Sequence, residues 1–256
     1  MPLLIDTNVY LSRWPTRRVR GDTPETLVEL LKNRGVSQAW AGSFEGLLFR
    51  DLGGVNERLA ADCRVAPDLL LPFGSINPTL PDWEDDLRRC HEVHRMRGIR
   101  LHPNYHGYKL DEPVFARLLA LAAQRGLIVQ LALSMEDERT QSALVRAAPV
   151  DVKPLPDIVR PVPGLKLVIA NAFRAMRVEQ TDQLVAAGNV SFDIAMLEGV
   201  GGVKRLIDQI GLERVVFGSY APFFYFESSA LKLQESPLAG AQLEAVRHGN
   251  AQALLG

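Results

Sequence analysis

The sequence predicts an α/β protein folded as a single (β/α)8 TIM barrel, and three observations carry that expectation. Short apolar runs recur eight times along the 256 residues. Each is followed by polar or Gly/Pro-rich residues and then by a segment of helical period. No glycine-rich phosphate loop follows the first run, which disfavours the runner-up, an open doubly wound sheet. Strand and helix in strict alternation make each helix the crossover between parallel neighbours. The length suits one barrel domain spanning 1–256.

The expected strands are Leu3 to Asp6, Gln38 to Gly42, Leu69 to Ile76, Gly98 to His102, Leu127 to Leu133, Leu165 to Asn171, Val190 to Ala195 and Val215 to Ser219. Helix signals lie between them. Thr23-Pro24 supplies a cap and a first-turn proline, and Gly35 ends that helix. From Asp82 the acids cluster first and the bases last, as the helix dipole favours. Asp111 is the expected cap of the next helix, whose stripe is Phe115, Leu118, Leu119 and Ala122. Weaker helices are expected at about Glu136 to Ala147, Val178 to Ala187, Gly202 to Ile210, Ser228 to Glu235 and Gly240 to Leu255.

A net charge of -1 gives no electrostatic reason to expect nucleic acid or a membrane as partner, and the Arg17, Arg18, Arg20 cluster is too short for a polybasic footprint. MPLLIDTN lacks a signal-peptide pattern, and no apolar run reaches the length of a spanning helix, so a cytoplasmic protein is expected. Cys63 and Cys90 fall in helix-like segments without metal spacing and read as structural thiols.

In a barrel the chemistry sits where strands run into the following loops. Read in order, those ends supply Asp6, Asn8 and Tyr10; Ser43, Phe44 and Glu45; Asn77; His102, Asn104, Tyr105 and His106; Gln130, Ser134 and Glu136; Asn171 and Arg174; Asp193 and Glu198; and Tyr220. Asp6 shares a face with Asn8 and Tyr10 by the two-residue strand period, and Arg100 is a plausible partner for so deep a carboxylate.

Phe217-Gly218-Ser219-x-x-Pro222, followed by the tail from Gly249 to Gly256, closely resembles the last strand and last helix of the amidohydrolase-2 branch of the amidohydrolase superfamily. Gly98-Ile99-Arg100-Leu101-His102-Pro103 and the Asp111-x-Pro113-x-Phe115 helix entry extend the resemblance over essentially the whole chain. It implies a barrel descended from metal-dependent hydrolases and decarboxylases. It also implies where their metal-site residues would fall, and all five positions are altered: Asn8 and Tyr10 on strand one, Ala132 on strand five, Asn171 on strand six and Tyr220 after strand eight. Zinc wants imidazole, carboxylate or thiolate, so no metal and no other cofactor is expected at the inherited place.

His102, followed by proline at a strand end, is the leading candidate for a general base, with Asp193 or Glu198 as acid or orienting carboxylate. Asn8, Tyr10, Glu45, Asn104, His106, Gln130, Asn171, Arg174 and Tyr220 are the candidate contacts to a small-molecule ligand. The retained polarity favours, by a small margin, a hydrolase-like protein acting on a carboxylate- or carbonyl-bearing molecule without the ancestral metal. The alternatives are a non-catalytic binder of a small molecule or protein, and an enzyme whose metal has moved to His102 and His106 with Glu45, Asp193 or Glu198. The aromatic segment after strand eight, Tyr220 and Phe223 to Phe226, is either ligand contact or an interface for a homo-oligomer.

Overall fold

The computed structural model describes residues 3–173 and 175–256. Its eight strands are parallel and ordered β1 to β8, each hydrogen-bonded to the next in sequence. They are β1 (Ile5–Leu11), β2 (Gln38–Ser43), β3 (Leu70–Ser75), β4 (Gly98–Leu101), β5 (Ile128–Ala132), β6 (Lys166–Ala170), β7 (Val190–Asp193) and β8 (Val215–Val216). Closure is made by the backbone beyond β8: Thr7 N donates to Phe217 O at 2.9 Å, Tyr220 N to Asn8 O at 2.7 Å and Tyr10 N to Ala221 O at 2.9 Å. The expected TIM barrel is therefore the fold.

The outer ring comprises α1 (Pro24–Asn33), α2 (Leu52–Cys63), α3 (Trp83–Glu92), α4 (Pro103–His106), α5 (Pro113–Gln124), α6 (Leu155–Val159), α7 (Val178–Ala187), α8 (Gly202–Ile210), α9 (Phe226–Gln234), α10 (Gly240–Glu244) and α11 (Asn250–Leu255). Thr23 caps α1, its hydroxyl accepting from Thr26 N, with proline in the first turn. One π-helical stretch, Ala245–Gly249, joins α10 to α11, so the expected final helix runs through.

Four boundaries differ from expectation. β1 continues to Leu11 through Thr7 and Asn8, because a strand buried on both faces can carry polar residues inward. The α5 cap is Glu112 rather than Asp111, and it makes no side-chain cap bond; its carboxylate instead accepts from Lys109 N at 2.9 Å. No helix forms over Glu136 to Ala147: that segment, which offers no sustained apolar stripe, holds a 3-10 turn at Glu138–Thr140, and the helical crossover is displaced to α6. The NYHGY segment, read as loop, begins with the single turn of α4, ended by Gly107 at φ 73°.

The barrel interior is layered. At the bottom Ile5, Trp40, Phe73, Ile128, Val168 and Val216 pack with Ala251 and Leu254 of α11. Trp40 and Phe73 stack with ring centroids 4.8 Å apart. The middle layer is polar and centres on Arg100, which is 2% exposed. Its Nε donates to Gln130 Oε1 at 2.6 Å, Nη1 to Val9 O at 2.7 Å, and Nη2 to Trp40 O at 2.7 Å and Thr7 O at 3.2 Å. Gly42 makes the room: a Cβ there would lie 2.7 Å from Arg100 Cδ and Nη1. Arg100 thus faces inward, while Ile99 and Leu101 face the helices in the main core.

Candidate functional site

Asp6 does not pair with Arg100. One of its oxygens, Oδ1, accepts from Asn8 N at 3.1 Å and Ser219 N at 2.9 Å, while Oδ2 is buried without a hydrogen-bond partner. Burial raises its carboxyl from 3.8 to about 7, against the pull of the backbone amides that bond it. Above it, Asn8, Asn171 and Asp193 form one closed polar knot. Asn8 Nδ2 donates to Asp193 Oδ2 at 2.6 Å and to Asn171 Oδ1 at 3.0 Å. Asp193 Oδ1 accepts from Asn171 N at 3.1 Å and Ala195 N at 3.3 Å. Asn171 Nδ2 reaches Ser134 O at 2.9 Å. Burial raises the Asp193 carboxyl, and those donors oppose the rise.

The second group is aromatic. Tyr10 Oη lies 3.0 Å from His102 Nε2, and its ring stacks on Phe44 at 4.6 Å and meets Tyr220 edge-on at 5.5 Å. The Arg100 guanidinium lies 4.3 Å from the Tyr10 ring centroid. Tyr220 Oη donates to Met135 O at 2.6 Å. Trp14, Leu47, Met135, Met196 and Ala132 complete this layer, with Phe223 and Phe224 packed against it. Rings therefore fill the mouth of the barrel. Asn8, His102, Asn171, Asp193 and Tyr220 are each 0% exposed, and Tyr10 and Gln130 are 1% exposed. Burial, together with the nearby His106 and Arg100, lowers His102 well below the usual imidazole range, so it is neutral at physiological pH.

The other expected site residues lie apart from this centre. Glu45 bonds Arg58 at 2.7 Å on the outer face. His106 Nε2 lies 2.8 Å from Gly46 O, and its ring centroid is 5.8 Å from that of His102. Gln130 is committed to Arg100 and to Thr7 O, at 2.6 Å in each bond. Asn104 turns to the 148–154 segment, donating to Ala148 O at 3.0 Å. Glu198 is exposed on the loop after β7. Arg174 lies outside the described residues. Since Tyr10 takes His102 Nε2 and His102 Nδ1 has no partner, His102 is bonded to neither candidate carboxylate. Of the segment after β8, Phe226 is buried and Tyr225 is 86% exposed.

Sequence reasoning did not foresee Arg100 as the hub of the middle layer or Met135 as the acceptor for Tyr220. The inward two-residue period through Gly98, Arg100 and His102 carried the first signal; nothing in the sequence pointed to the second. Two of the expected site residues hold left-handed backbone, Asn171 at φ 57° and Tyr220 at φ 61°. Asparagine tolerates that region, whereas for an aromatic it costs roughly 1–2 kcal/mol.

The donor set does not suit a catalytic divalent cation. At the five positions that the family resemblance singles out, Asn8, Tyr10, Ala132, Asn171 and Tyr220, stand two carboxamides, two phenols and a methyl group. Burial raises both phenols above their ordinary value, so they stay protonated. Among the described residues no group of three His, Cys, Asp or Glu side chains is placed to hold a metal ion. Among them, too, no helix is long and apolar enough to cross a membrane.

The fold has solved counterparts over its full length. A Staphylococcus aureus protein classed with the amidohydrolases superposes with TM-score 0.77 at 13% identity, covering 99% of each chain. The 5-carboxyvanillate decarboxylase of Sphingomonas paucimobilis gives TM-score 0.75 at 13% identity, covering 100% of this chain and 99% of that one. The 2,6-dihydroxybenzoate decarboxylase of Rhizobium gives 0.73 at 12% identity, covering 99% and 98%. No curated protein sequence matches the chain. The model of the Amidohydrolase family matches residues 13–256. That match takes in every strand but the first, and by it the chain belongs to the amidohydrolase family.

Proposed function

We propose that this chain is a non-catalytic amidohydrolase barrel, a recognition module that has given up metal-assisted hydrolysis and decarboxylation. The observation that carries the reading is the filled mouth. Tyr10, Phe44 and Tyr220 fill the barrel mouth, the end where this architecture carries its chemistry, and the candidate base His102 is buried beside them. A general base must reach its substrate's proton within hydrogen-bond distance or through one water. His102 instead spends its Nε2 on a neutral phenol. The inherited positions also lack the ligands that would lower the pKa of a bound water. What remains available for recognition is the rim, where Leu144 is 92%, Val200 74% and Tyr225 86% exposed. Because Phe223, Phe224 and Phe226 pack within the chain, self-association through this segment would rest on Tyr225.

A second reading keeps chemistry without the metal, on a small carboxylate-bearing molecule. It is favoured by three buried atoms without partners, Asp6 Oδ2, Asn8 Oδ1 and His102 Nδ1, which mark a centre with more polarity than a scaffold needs. One experiment separates the readings: elemental analysis of the purified chain after incubation with zinc and with manganese, followed by turnover assays on 5-carboxyvanillate and 2,6-dihydroxybenzoate. The recognition reading expects no stoichiometric metal and no product. Stoichiometric metal overturns it. So does chelator-resistant turnover, and if His102→Ala abolishes that turnover the second reading takes its place.

A further inference from the structure

We infer that the cavity between the connections entering β4 and β5, on the face of the barrel away from its mouth, is a site for a small phosphorylated molecule. The cavity, about 360 Å³, is lined by His91 of α3, by Arg95 and Arg97 on the connection into β4, and by Arg125 on the connection into β5, together with the buried Met96 and Leu127. That volume falls in the range of small-molecule sites. The inference stands apart from what the mouth does, because the two lie at opposite ends of the strands.

The lining carries charge of one sign: three guanidiniums and an imidazole, with no carboxylate. None of the three arginines forms an ion pair with a described residue, because the acids of α3 go to other cations, Asp85 and Glu92 to Arg88, and Glu84 to Arg117. Arg97 gives Nη2 to Leu255 O of α11, and Arg125 gives Nη1 to Leu121 O at 3.1 Å in the last turn of α5, so each keeps further donors. Cations beside the ends of helices answer the helix dipole, which accounts for Arg125. It does not account for Arg95, an exposed residue whose backbone is left-handed at φ 53°. Glycine would hold that conformation without strain, and the chain places a guanidinium there instead.

The face around the cavity has the same sign. Its helix-to-strand connections also carry Arg34, Arg64, Arg160 and Arg214, which with the three above makes seven arginines against two acids, Asp68 and Glu213, in a chain of net charge -1. Such a field draws anions to this end of the barrel. Within that class the number of forks decides. A carboxylate offers two coplanar oxygens, which one guanidinium satisfies, whereas a phosphoryl group offers three oxygens and close to two charges and can meet guanidiniums from both connections at once.

The test is isothermal titration calorimetry of the full chain with glycerol 3-phosphate as probe, inorganic phosphate as a second ligand and acetate as control, all at one ionic strength. The expected result is saturable one-to-one binding of both phosphates and none of acetate. Arg95→Gln and Arg125→Gln should each weaken glycerol 3-phosphate by about tenfold, the worth of one charge-assisted hydrogen bond. Neither guanidinium bonds a second element, so the thermal midpoint should stay unchanged in both variants. Arg64→Gln, on the same face but outside the cavity, should leave the affinity as it was. No saturable binding, equal binding of acetate, an affinity unaltered in Arg95→Gln and Arg125→Gln, or inorganic phosphate bound as an adventitious ion only overturns the inference. Equal weakening by Arg64→Gln overturns it too, since a diffuse field and not a site would then hold the anion.

Discussion

Asp6→Asn should change the pH dependence of stability, and the size of the change follows from the burial of one carboxyl. Asp6 is 0% exposed, and its folded value rises from 3.8 to about 7. Below 3.8 the carboxyl is protonated whether the chain is folded or not, and its contribution is complete. As pH rises from there to about 7, the unfolded chain ionises while the folded chain holds its proton. Stability is therefore lost across that window, at about 1.4 kcal/mol for each tenfold fall in proton concentration, or about 4 kcal/mol in all. Above the folded value both states are ionised and the loss is constant.

His102 works in the opposite direction. Its folded value is depressed, so its contribution is present above the unfolded value of 6.5 and is lost as pH falls below it. The two slopes oppose each other in mildly acidic solution, and the wild-type curve alone will not isolate Asp6. The difference between Asp6→Asn and wild type will. The asparagine oxygen can accept from Asn8 N and Ser219 N as Asp6 Oδ1 does, and the rest of the amide takes the place of the partnerless Asp6 Oδ2. Urea unfolding at a series of pH values should show the variant gaining on wild type as pH rises, with the gain levelling off near 7. A difference that does not vary with pH would refute the reasoning, because Asp6 would then titrate alike in both states.

Two further substitutions probe the interior. Arg100→Leu removes four hydrogen bonds and leaves Gln130 Oε1 and the carbonyls of Thr7, Val9 and Trp40 without that donor; a loss of about 3–5 kcal/mol is expected from denaturant titration, and a loss below about 1 kcal/mol would deny Arg100 its place as hub. Tyr220→Phe keeps the ring packing but strips Met135 O of its 2.6 Å donor; it should cost about 1–2 kcal/mol, read as a fall of a few degrees in thermal midpoint.

The barrel was legible because its signal is repeated: eight apolar runs at regular spacing outvote any single ambiguity. The misjudged boundaries lie where polar residues serve the interior. Thr7 and Asn8 look like the end of a strand, yet β1 continues through them, with its register shifting between Asp6 and Val9. Of the residues the strand ends nominate, Asn8, Asn171 and Asp193 meet, as do Tyr10 and His102, while Glu45 and Asn104 turn elsewhere. The closure of the mouth was not legible. Whether rings such as Tyr10, Phe44 and Tyr220 line a pocket or fill it depends on how they pack against one another, and a strand pattern records only which face they leave.

The side chains of the barrel mouth are physically coupled. A mouth without large side chains would hold a void lined by backbone. Voids in a close-packed interior cost stability roughly in proportion to their volume. Tyr10 and Tyr220 fill that space with large rings, and each phenol finds a partner, His102 Nε2 for one and Met135 O for the other. The smaller side chains do different work: Ala132 packs against the rings, while Asn8 and Asn171 donate to Asp193. Tyr220 holds left-handed backbone within this packed mouth. A fold can keep such strain when the rest of the barrel over-determines it. The plug extends from β1 to the turn after β2 and the loops after β5, β7 and β8 rather than resting on one residue, so the packing of each ring depends on the others.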